Sequence, residues 1–260
     1  MKLGVNIDHI AVLREARETN DPNPLDALHI CKIAGANQIT IHLREDRRHI
    51  KDEDAKNIIL LSTLPVNLEC SINDEIIQIA SNLKPSRVTL VPENRLEVTT
   101  EGGLNLETNF EQISKVINKL QNEEIEVSLF IDAKQDMIEL SKKLKAQWIE
   151  LHTGKFSNIY GMLYSGLNRT HHSIKELELS RNILNKKLNK SIEQLQEVSI
   201  LAFESGLKVS AGHGLNYQNV SLISNIKQIE ELNIGQSIIA RSVFTGLENA
   251  ILDMRRILDK

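Results

Sequence analysis

Apolar and polar positions along the chain follow two alternating rhythms. Short β-rich runs recur at 3–7 (LGVNI), 38–43 (QITIHL), 66–70 (VNLEC), 87–91 (RVTLV), 126–131 (EVSLFI), 147–152 (QWIELH), 207–211 (LKVSA) and 233–240 (NIGQSIIA). Between most of them the apolar residues move to the spacing of an amphipathic helix, as in 74–83 (DEIIQIASNL) and 110–120 (FEQISKVINKL). Strands alternating with helices imply parallel pairing through crossover helices. Eight such units in 260 residues fit an α/β fold of the (β/α)8 TIM-barrel type. A doubly wound open sheet has a similar pattern and is the alternative at this stage.

The connections are unequal. Asp21 or Asn23 can cap a helix beginning near Pro24, and Gly35 can end it. Residues 92–109 form a long loop with paired glycines, Gly102 and Gly103. Residues 155–205 form an extended helical segment before the seventh strand. Its stretch 173–205 reads as helix throughout, and one straight helix of that length overshoots a barrel wall. A break near Asn185–Asn189 is therefore expected, giving two helices. With no internal repeat or low-complexity tail, residues 1–260 read as a single domain.

Composition narrows the function classes. The chain is 41% hydrophobic and 25% charged, and its net charge of −4 gives no electrostatic basis for nucleic-acid binding. One Trp, three Tyr and five Phe are too few for a base-stacking platform. The N-terminus has no apolar run of signal-peptide length, and no stretch approaches the ~20 apolar residues of a membrane span. Cys31 and Cys70 are isolated and read as reduced thiols, which suits the cytoplasm.

Barrel enzymes carry their chemistry at the C-terminal ends of the strands. There the sequence places Asn6, Asp8 and His9 after strand one, and His42 and Arg44 after strand two. Glu69 ends strand three, and Glu93, Arg95, Thr99 and Thr100 follow strand four. Asp132 ends strand five, and Glu150 and His152 lie on strand six. AGHG (211–214) ends strand seven, while Asn233, Gly235 and Gln236 lie on strand eight with Arg241 just beyond. Four of the eight histidines thus fall at or just past a strand end. A lone strand-end histidine is more often structural than catalytic. Glu69 is harder to explain that way, because a buried carboxylate is costly unless paired or used. Glycines after strands seven and eight expose backbone N–H groups where barrels commonly hold phosphate. Arg17, Arg44 and His49 can neutralise a second phosphate. No lysine sits at a strand end, so any carbonyl–amine chemistry draws its amine from a substrate.

Several motifs lie in register along nearly the whole chain: GVNIDHIAVLREAR, ITIHLREDRRHI, NLE, LVPE followed by EVTTEGGL, VSLFIDA, IELHTG, LKVSAGHGL and ELNIG. Together they resemble the pyridoxine 5'-phosphate synthase family. The resemblance implies a TIM barrel with additional helices, assembled as a homo-octamer of paired subunits. It implies condensation of 1-deoxy-D-xylulose 5-phosphate with 3-amino-2-oxopropyl phosphate, giving pyridoxine 5'-phosphate, phosphate and water. It implies that no metal and no organic cofactor take part. Carried over by motif, His42 and Glu69 are proton acceptors, His213 is the proton donor, and Glu150 stabilises the transition state. Asp8, His9, Arg44, His49 and Thr99 fall on contacts to the pentulose phosphate. Asn6, Arg17, Gly214, Gly235 and Gln236 fall on contacts to the amino ketone phosphate. Two departures stand out: NIGQ where the family commonly reads NIGH, and a segment after HTG longer than the family pattern.

The charge-rich stretch 39–50 takes a role on this reading. Strand two delivers His42 as a base, and Arg44 and His49 close over a phosphate. Glu45, Asp46, Arg47 and Arg48 pair among themselves and start the next helix. Two rivals remain. A metal-dependent barrel hydrolase also gathers His, Asp and Glu at strand ends, although no HxH or HExxH spacing is present. A non-catalytic phosphate-binding barrel leaves the acids and bases without work.

Overall fold

The computed structural model describes residues 1–93 and 102–259. The strand pattern resolves into β1 (Lys2–Asn6), β2 (Gln38–His42), β3 (Val66–Cys70), β4 (Arg87–Leu90), β5 (Glu126–Ile131), β6 (Trp148–His152), β7 (Lys208–Gly212) and β8 (Ile229–Ile234). They pair in sequence order, and β1 also pairs parallel with β8, so the sheet closes on itself. The closure excludes the open-sheet alternative; the fold is a TIM barrel.

The eighth strand lies earlier than the pattern indicates. Gly235 ends it, and the apolar run SIIA belongs to the following helix α10 (Gln236–Thr245). Arg241 accordingly sits on that helix, where its guanidinium pairs with Asp253 at 2.5 Å. A short apolar run has no intrinsic period by which strand and helix can be told apart.

Helices α1 (Asp8–Glu15), α2 (Ala27–Ile33), α3 (Asp52–Leu61), α4 (Asp74–Leu83), α5 (Phe110–Asn122) and α6 (Gln135–Lys143) fill the first connections. Asn23 does cap the turn at Pro24, its side chain accepting the N–H of Leu25 at 3.0 Å, and α2 follows. On α5 the buried Ile113, Val116, Ile117 and Leu120 form the stripe that faces the barrel.

The extended segment is broken elsewhere than expected. α7 (Gly154–Tyr164) ends before Gly166, which takes a left-handed conformation (φ 72°), and two 3-10 turns lead to α8 (Arg181–Glu204). α8 runs through 185–189 unbroken for 24 residues, about 36 Å at 1.5 Å per residue. Its buried Leu184, Leu188, Ser191, Leu195, Val198 and Ala202 explain why. Their stripe keeps one helical phase, so the asparagines fall on a face where they disturb nothing. α9 (Val220–Ser224) and α11 (Leu247–Leu258) complete the outer layer.

The apolar core lies between barrel and helices. Strand residues such as Leu3, Ile41, Leu68, Leu90, Leu129 and Leu232 are fully buried in it. Each such side chain contributes roughly 1.5–3 kcal/mol by leaving water. The alternate strand positions, which face the barrel lumen, are largely polar, where branched apolar residues usually fill the space. The ion pair from Arg87 Nη1 to Glu231 Oε1, 2.8 Å long, joins β4 to β8 across the closed ring. Gln38 Nε2 donates to the same oxygen at 3.0 Å, and the Arg87 guanidinium lies 3.7 Å over the Trp148 ring.

Both side chains are buried, so removing one member of that pair leaves a buried charge unpaired. Arg87→Met should destabilise the protein by about 3–5 kcal/mol in urea unfolding. Arg87→Met combined with Glu231→Gln should recover most of the loss, since no unpaired charge remains. Simple additivity of the two single losses would show that the pair is not coupled.

Candidate active site

At the C-terminal end of the barrel lies a cavity of about 420 Å³. Every site residue that the family resemblance implies lines it except Arg17 and Thr99. Arg17 is exposed in the turn after α1 and is not among the lining residues. Thr99, with Arg95 and Thr100, lies outside the described residues.

The first corner of the cavity is stitched by Asp8. Its Oδ1 accepts the backbone N–H of His42 at 2.8 Å, and its Oδ2 accepts from Asn6 Nδ2 at 2.8 Å. This locks the ends of β1 and β2 together. His42 and Glu69 are register partners on β2 and β3, so they sit side by side facing the lumen. Glu93, just after β4, reaches back: its Oε1 is 3.4 Å from His42 Nε2, and both its oxygens accept the N–H of Glu45, at 3.2 and 3.0 Å.

Arg44 and His49 are buried at the same corner. The N–H of Ile50 donates to His49 Nδ1 at 2.8 Å, which leaves Nε2 as the protonated nitrogen. The four intervening charged residues divide. Asp46 and Arg48 pair at 2.6 Å, whereas Glu45 accepts from Ser71 at 2.6 Å and Arg47 pairs with Glu75 at 2.6 Å. They do not start a helix. α3 begins only at Asp52, with Asp52, Glu53 and Asp54 in its first turn, where the helix dipole favours them.

Opposite this corner, Glu150 on β6 leans beneath β7. Its Oε2 accepts from Asn233 Nδ2 at 2.7 Å, and Asn233 Oδ1 in turn accepts from Thr40 Oγ1 at 3.2 Å. Two glycines make that arrangement possible. A Cβ on Gly4 would lie 2.0 Å from Asn233 Oδ1, and one on Gly212 would lie 2.2 Å from Glu150 Oε1. His213 follows directly with φ 77°, a strained conformation for a residue with a side chain. The Thr153 hydroxyl secures it, its one hydrogen shared between the carbonyls of Gly212 and His213, both at 2.7 Å. The His213 ring stands edge-on to His152 with centroids 5.1 Å apart. Asp132 Oδ1 lies 3.5 Å from His152 Nδ1 and also accepts the N–H of Gly103 at 3.0 Å.

Burial sets the proton affinities. Glu69 is pushed well above the usual carboxylate range, first by burial and then by the charges of Glu150 and Asp8. Burial also raises Glu150 to about 7, reinforced by Glu231 and opposed by the Asn233 hydrogen bond and Arg87. His213 is pushed down to about 4 by burial, then by His152 and His9. Asp132 is held below its ordinary value, chiefly by its hydrogen bond with His152, against the effect of burial. The cavity therefore combines carboxyl groups able to hold a proton near neutrality with imidazoles.

On the β7–β8 side the lining changes character. Gly214, Gly235 and Gln236 border the cavity where α10 begins. The first N–H groups of a helix have no partner within it, so this flank suits an anion. Among the described residues, no group of three or more His, Cys, Asp or Glu side chains is arranged to hold a metal ion.

The sequence pattern gave no role to Asn233 or His152, although both stood on expected strands. The polar–apolar alternation that turns Asn233 inward was the available signal. Glu93 had only its place after β4, and its contact with His42 spans 51 residues.

Comparison with known proteins places the chain among relatives of full length. The family model described as pyridoxal phosphate biosynthesis protein PdxJ matches residues 3–260. A pyridoxine 5'-phosphate synthase of Aliarcobacter butzleri (strain RM4018) is 72% identical over 258 residues, 99% of each chain. One of Sulfurovum sp. (strain NBC37-1) is 63% identical, covering 99% of this chain and 100% of the relative. These relatives are as long as this chain, so the long segment before β7 is not an addition peculiar to it. Among solved structures, phosphoribosyl anthranilate isomerase from Thermococcus kodakaraensis superimposes with a TM-score of 0.59 at 11% identity, covering 99% of this chain and 98% of that one. At that identity the likeness shows the fold alone.

Glu150 gives a pH signature. The folded chain keeps a proton that the unfolded chain releases above its ordinary value of 4.5. Stability should therefore fall as pH rises from 4.5 through about 7. Glu150→Gln should flatten that slope in urea titrations across the window. An unchanged slope would mean that Glu150 is not the group titrating.

Proposed function

Because the chain belongs to the PdxJ family of pyridoxal phosphate biosynthesis proteins, we propose that it catalyses the ring-closing condensation of 1-deoxy-D-xylulose 5-phosphate with 3-amino-2-oxopropyl phosphate. It is an enzyme of vitamin B6 biosynthesis, a pyridoxine 5'-phosphate synthase. The observation that carries the finer reading is the pairing of His42 with Glu69 on adjacent strands of one cavity. That cavity is flanked by Arg44 and His49 on one side and by a glycine-bordered helix start on the other. Two phosphorylated substrates need two anion sites with acid–base groups between them.

In this reading the substrate amine attacks the sugar ketone, water leaves, and an imine forms. His42 and Glu69 take protons as the imine becomes an enamine and phosphate departs. Water then adds at the carbon that phosphate left, and an aldol-type closure with the loss of two further waters gives the aromatic ring. His213 donates protons to departing oxygens. Its neutral resting form fits this role once phosphate dianions enter the cavity, because a nearby negative charge raises an imidazole's proton affinity. Glu150 stabilises developing positive charge when ionised. Asp8, His9 and Thr99 bind the pentulose phosphate alongside Arg44 and His49. Asn6, Arg17, Gly214, Gly235 and Gln236 bind the amino ketone phosphate. Arg17, exposed in this single chain, needs movement or a neighbouring subunit to reach a substrate.

We further propose that the protein works in the cytoplasm as a homo-octamer of paired subunits. Both cysteines are buried and free, and no described helix is long and apolar enough to cross a membrane. Large apolar side chains stand in water on the single chain, with Phe244 88% and Leu60 72% exposed, as expected of surfaces that subunits cover. Sedimentation of the purified protein should give a mass near eight subunits; a monomer would overturn the assembly.

Purified protein mixed with both substrates in the presence of a chelator should release pyridoxine 5'-phosphate and phosphate in equal amounts. His42→Ala and Glu69→Ala should each lower kcat by about 10²–10⁴-fold with smaller effects on KM. Either variant retaining most of its turnover would remove that residue from the mechanism. Loss of product in chelator, restored by a divalent metal, would favour the metal-dependent reading.

A further inference from the structure

We propose that Glu93 is the positioning residue for His42, holding the proton on Nε2 so that Nδ1 carries the lone pair that accepts the substrate proton. The inference rests on the reading of His42 as a base, and extends it to one nitrogen and one partner.

Three observations lead to it. First, Glu93 Oε1 lies 3.4 Å from His42 Nε2, with both side chains only about a tenth exposed (10% and 11%). The distance is at the long end of the hydrogen-bond range, as catalytic hydrogen bonds often are before substrate arrives. Second, the carboxylate is itself fixed, since the backbone N–H of Glu45 donates to both of its oxygens, at 3.2 and 3.0 Å. Its aim at the imidazole is therefore built into the turn that follows β2. Third, burial works against its charge, yet hydrogen bonds from His42 and Glu45 and the nearby Arg44 hold it below the usual carboxylate range. It faces His42 as an anion.

An ionised carboxylate has only lone pairs to offer. The facing Nε2 must then supply the hydrogen, and a neutral imidazole has only one. Nδ1 is left as the acceptor. Asp8 fixes the other end of the same residue through the His42 backbone N–H, at 2.8 Å. Main chain and ring are thus oriented by two different carboxylates. The arrangement follows the logic by which a buried carboxylate sets the tautomer of a catalytic histidine in hydrolases.

Glu93→Gln separates this role from a merely structural one. The glutamine carbonyl can still accept the Glu45 N–H, so the turn is preserved. Its amide can donate to Nε2, which favours the opposite tautomer. The proposal expects kcat to fall by about 10²-fold or more with KM nearly unchanged. Glu93→Asp, which keeps the charge, should retain more turnover than Glu93→Gln. Magic-angle-spinning ¹⁵N spectra of histidine-labelled protein, at a pH where imidazoles are neutral, read the tautomer directly. The His42 signal, identified by its loss in His42→Asn, should show an unprotonated Nδ1 in the parent protein and a protonated one in Glu93→Gln. A protonated Nδ1 in the parent, or full turnover in a folded Glu93→Gln, overturns the proposal. An active His42→Ala would instead overturn the reading of His42 as a base, so the two failures are distinguishable.

Discussion

The structure depends on satisfying a polar interior. Charged and amide side chains inside a closed barrel are removed from water, and each unpaired group there costs free energy. The lumen meets most of this constraint with a network joined through Gln38, whose Nε2 also lies 3.4 Å from Asn233 Oδ1, while Asn67 Nδ2, Arg87 Nε and Ser128 Oγ are buried without a hydrogen-bond partner among the described residues. Arg87 pairs with Glu231, Gln38 joins Glu231, and Asn233 accepts from Thr40 and donates to Glu150. The links run from the N-terminal part of the barrel to the cavity. Each fixes the orientation of the next, so Asn233 presents its amide N–H to Glu150 because its carbonyl is already taken. Gly4 and Gly212 are part of the same device, since a methyl group at either position would collide with Asn233 or Glu150. The apolar layer between strands and helices supplies the stability of the fold, and the lumen supplies the aim of its carboxyl groups.

That interior explains the electrostatics of the mouth. Asp8, Glu69 and Glu150 line one cavity, and the charges of Asp8 and Glu150 add to the effect of burial on Glu69. Asp8 accepts from Asn6 Nδ2 and from the His42 N–H. Burial, then the charges of Glu150 and Asp8, raise the proton affinity of Glu69 well above the usual carboxylate range. The imidazoles follow the converse logic. His213 lies against His152 and near His9, and it resists a charge that would be buried beside theirs. Burial thus favours the uncharged forms of Glu69 and His213, and a bound anion raises the proton affinity of both. Acid and base roles are therefore set jointly by the protein and its ligand.

Much of this was legible in the sequence, and the failures have physical causes. The alternation in QITIHL, VNLEC and EVSLFI marked strands within a residue of their ends, because one face meets helices and the other a polar lumen. It failed at β8, where Gly235 separates a strand from a helix and the apolar run beyond carries no period of its own. It failed again on α8, where Asn185 and Asn189 suggested a break but the leucine stripe continued in phase. The break fell at Gly166, which can adopt a positive φ without strain. Motif resemblance brought together residues from different strands, yet it could not find Glu93 as the partner of His42. That contact depends on how the turn after β2 folds against the end of β4, and no local pattern in either segment encodes it.

The departure at Gln236 can be weighed by the same physics. Gln236 is the first residue of α10, and what a helix start presents to an anion is chiefly its backbone N–H groups and the positive end of its dipole. Those depend on Gly235 and on the helix, and both are in place at the rim of the cavity. An imidazole at this position could add a charge. A glutamine amide can add only a neutral hydrogen bond, about half as strong as a charge-assisted one. The substitution therefore removes at most a side-chain increment from a site whose geometry is set by the main chain. For the same reason, small residues around this rim matter more than the identity of any one polar side chain. A Cβ at Gly235 would come within 3.0 Å of Asn6, and one at Gly214 would strike Ser157 at 2.6 Å. Either collision would shift the N–H groups themselves, which no choice of residue at 236 could restore.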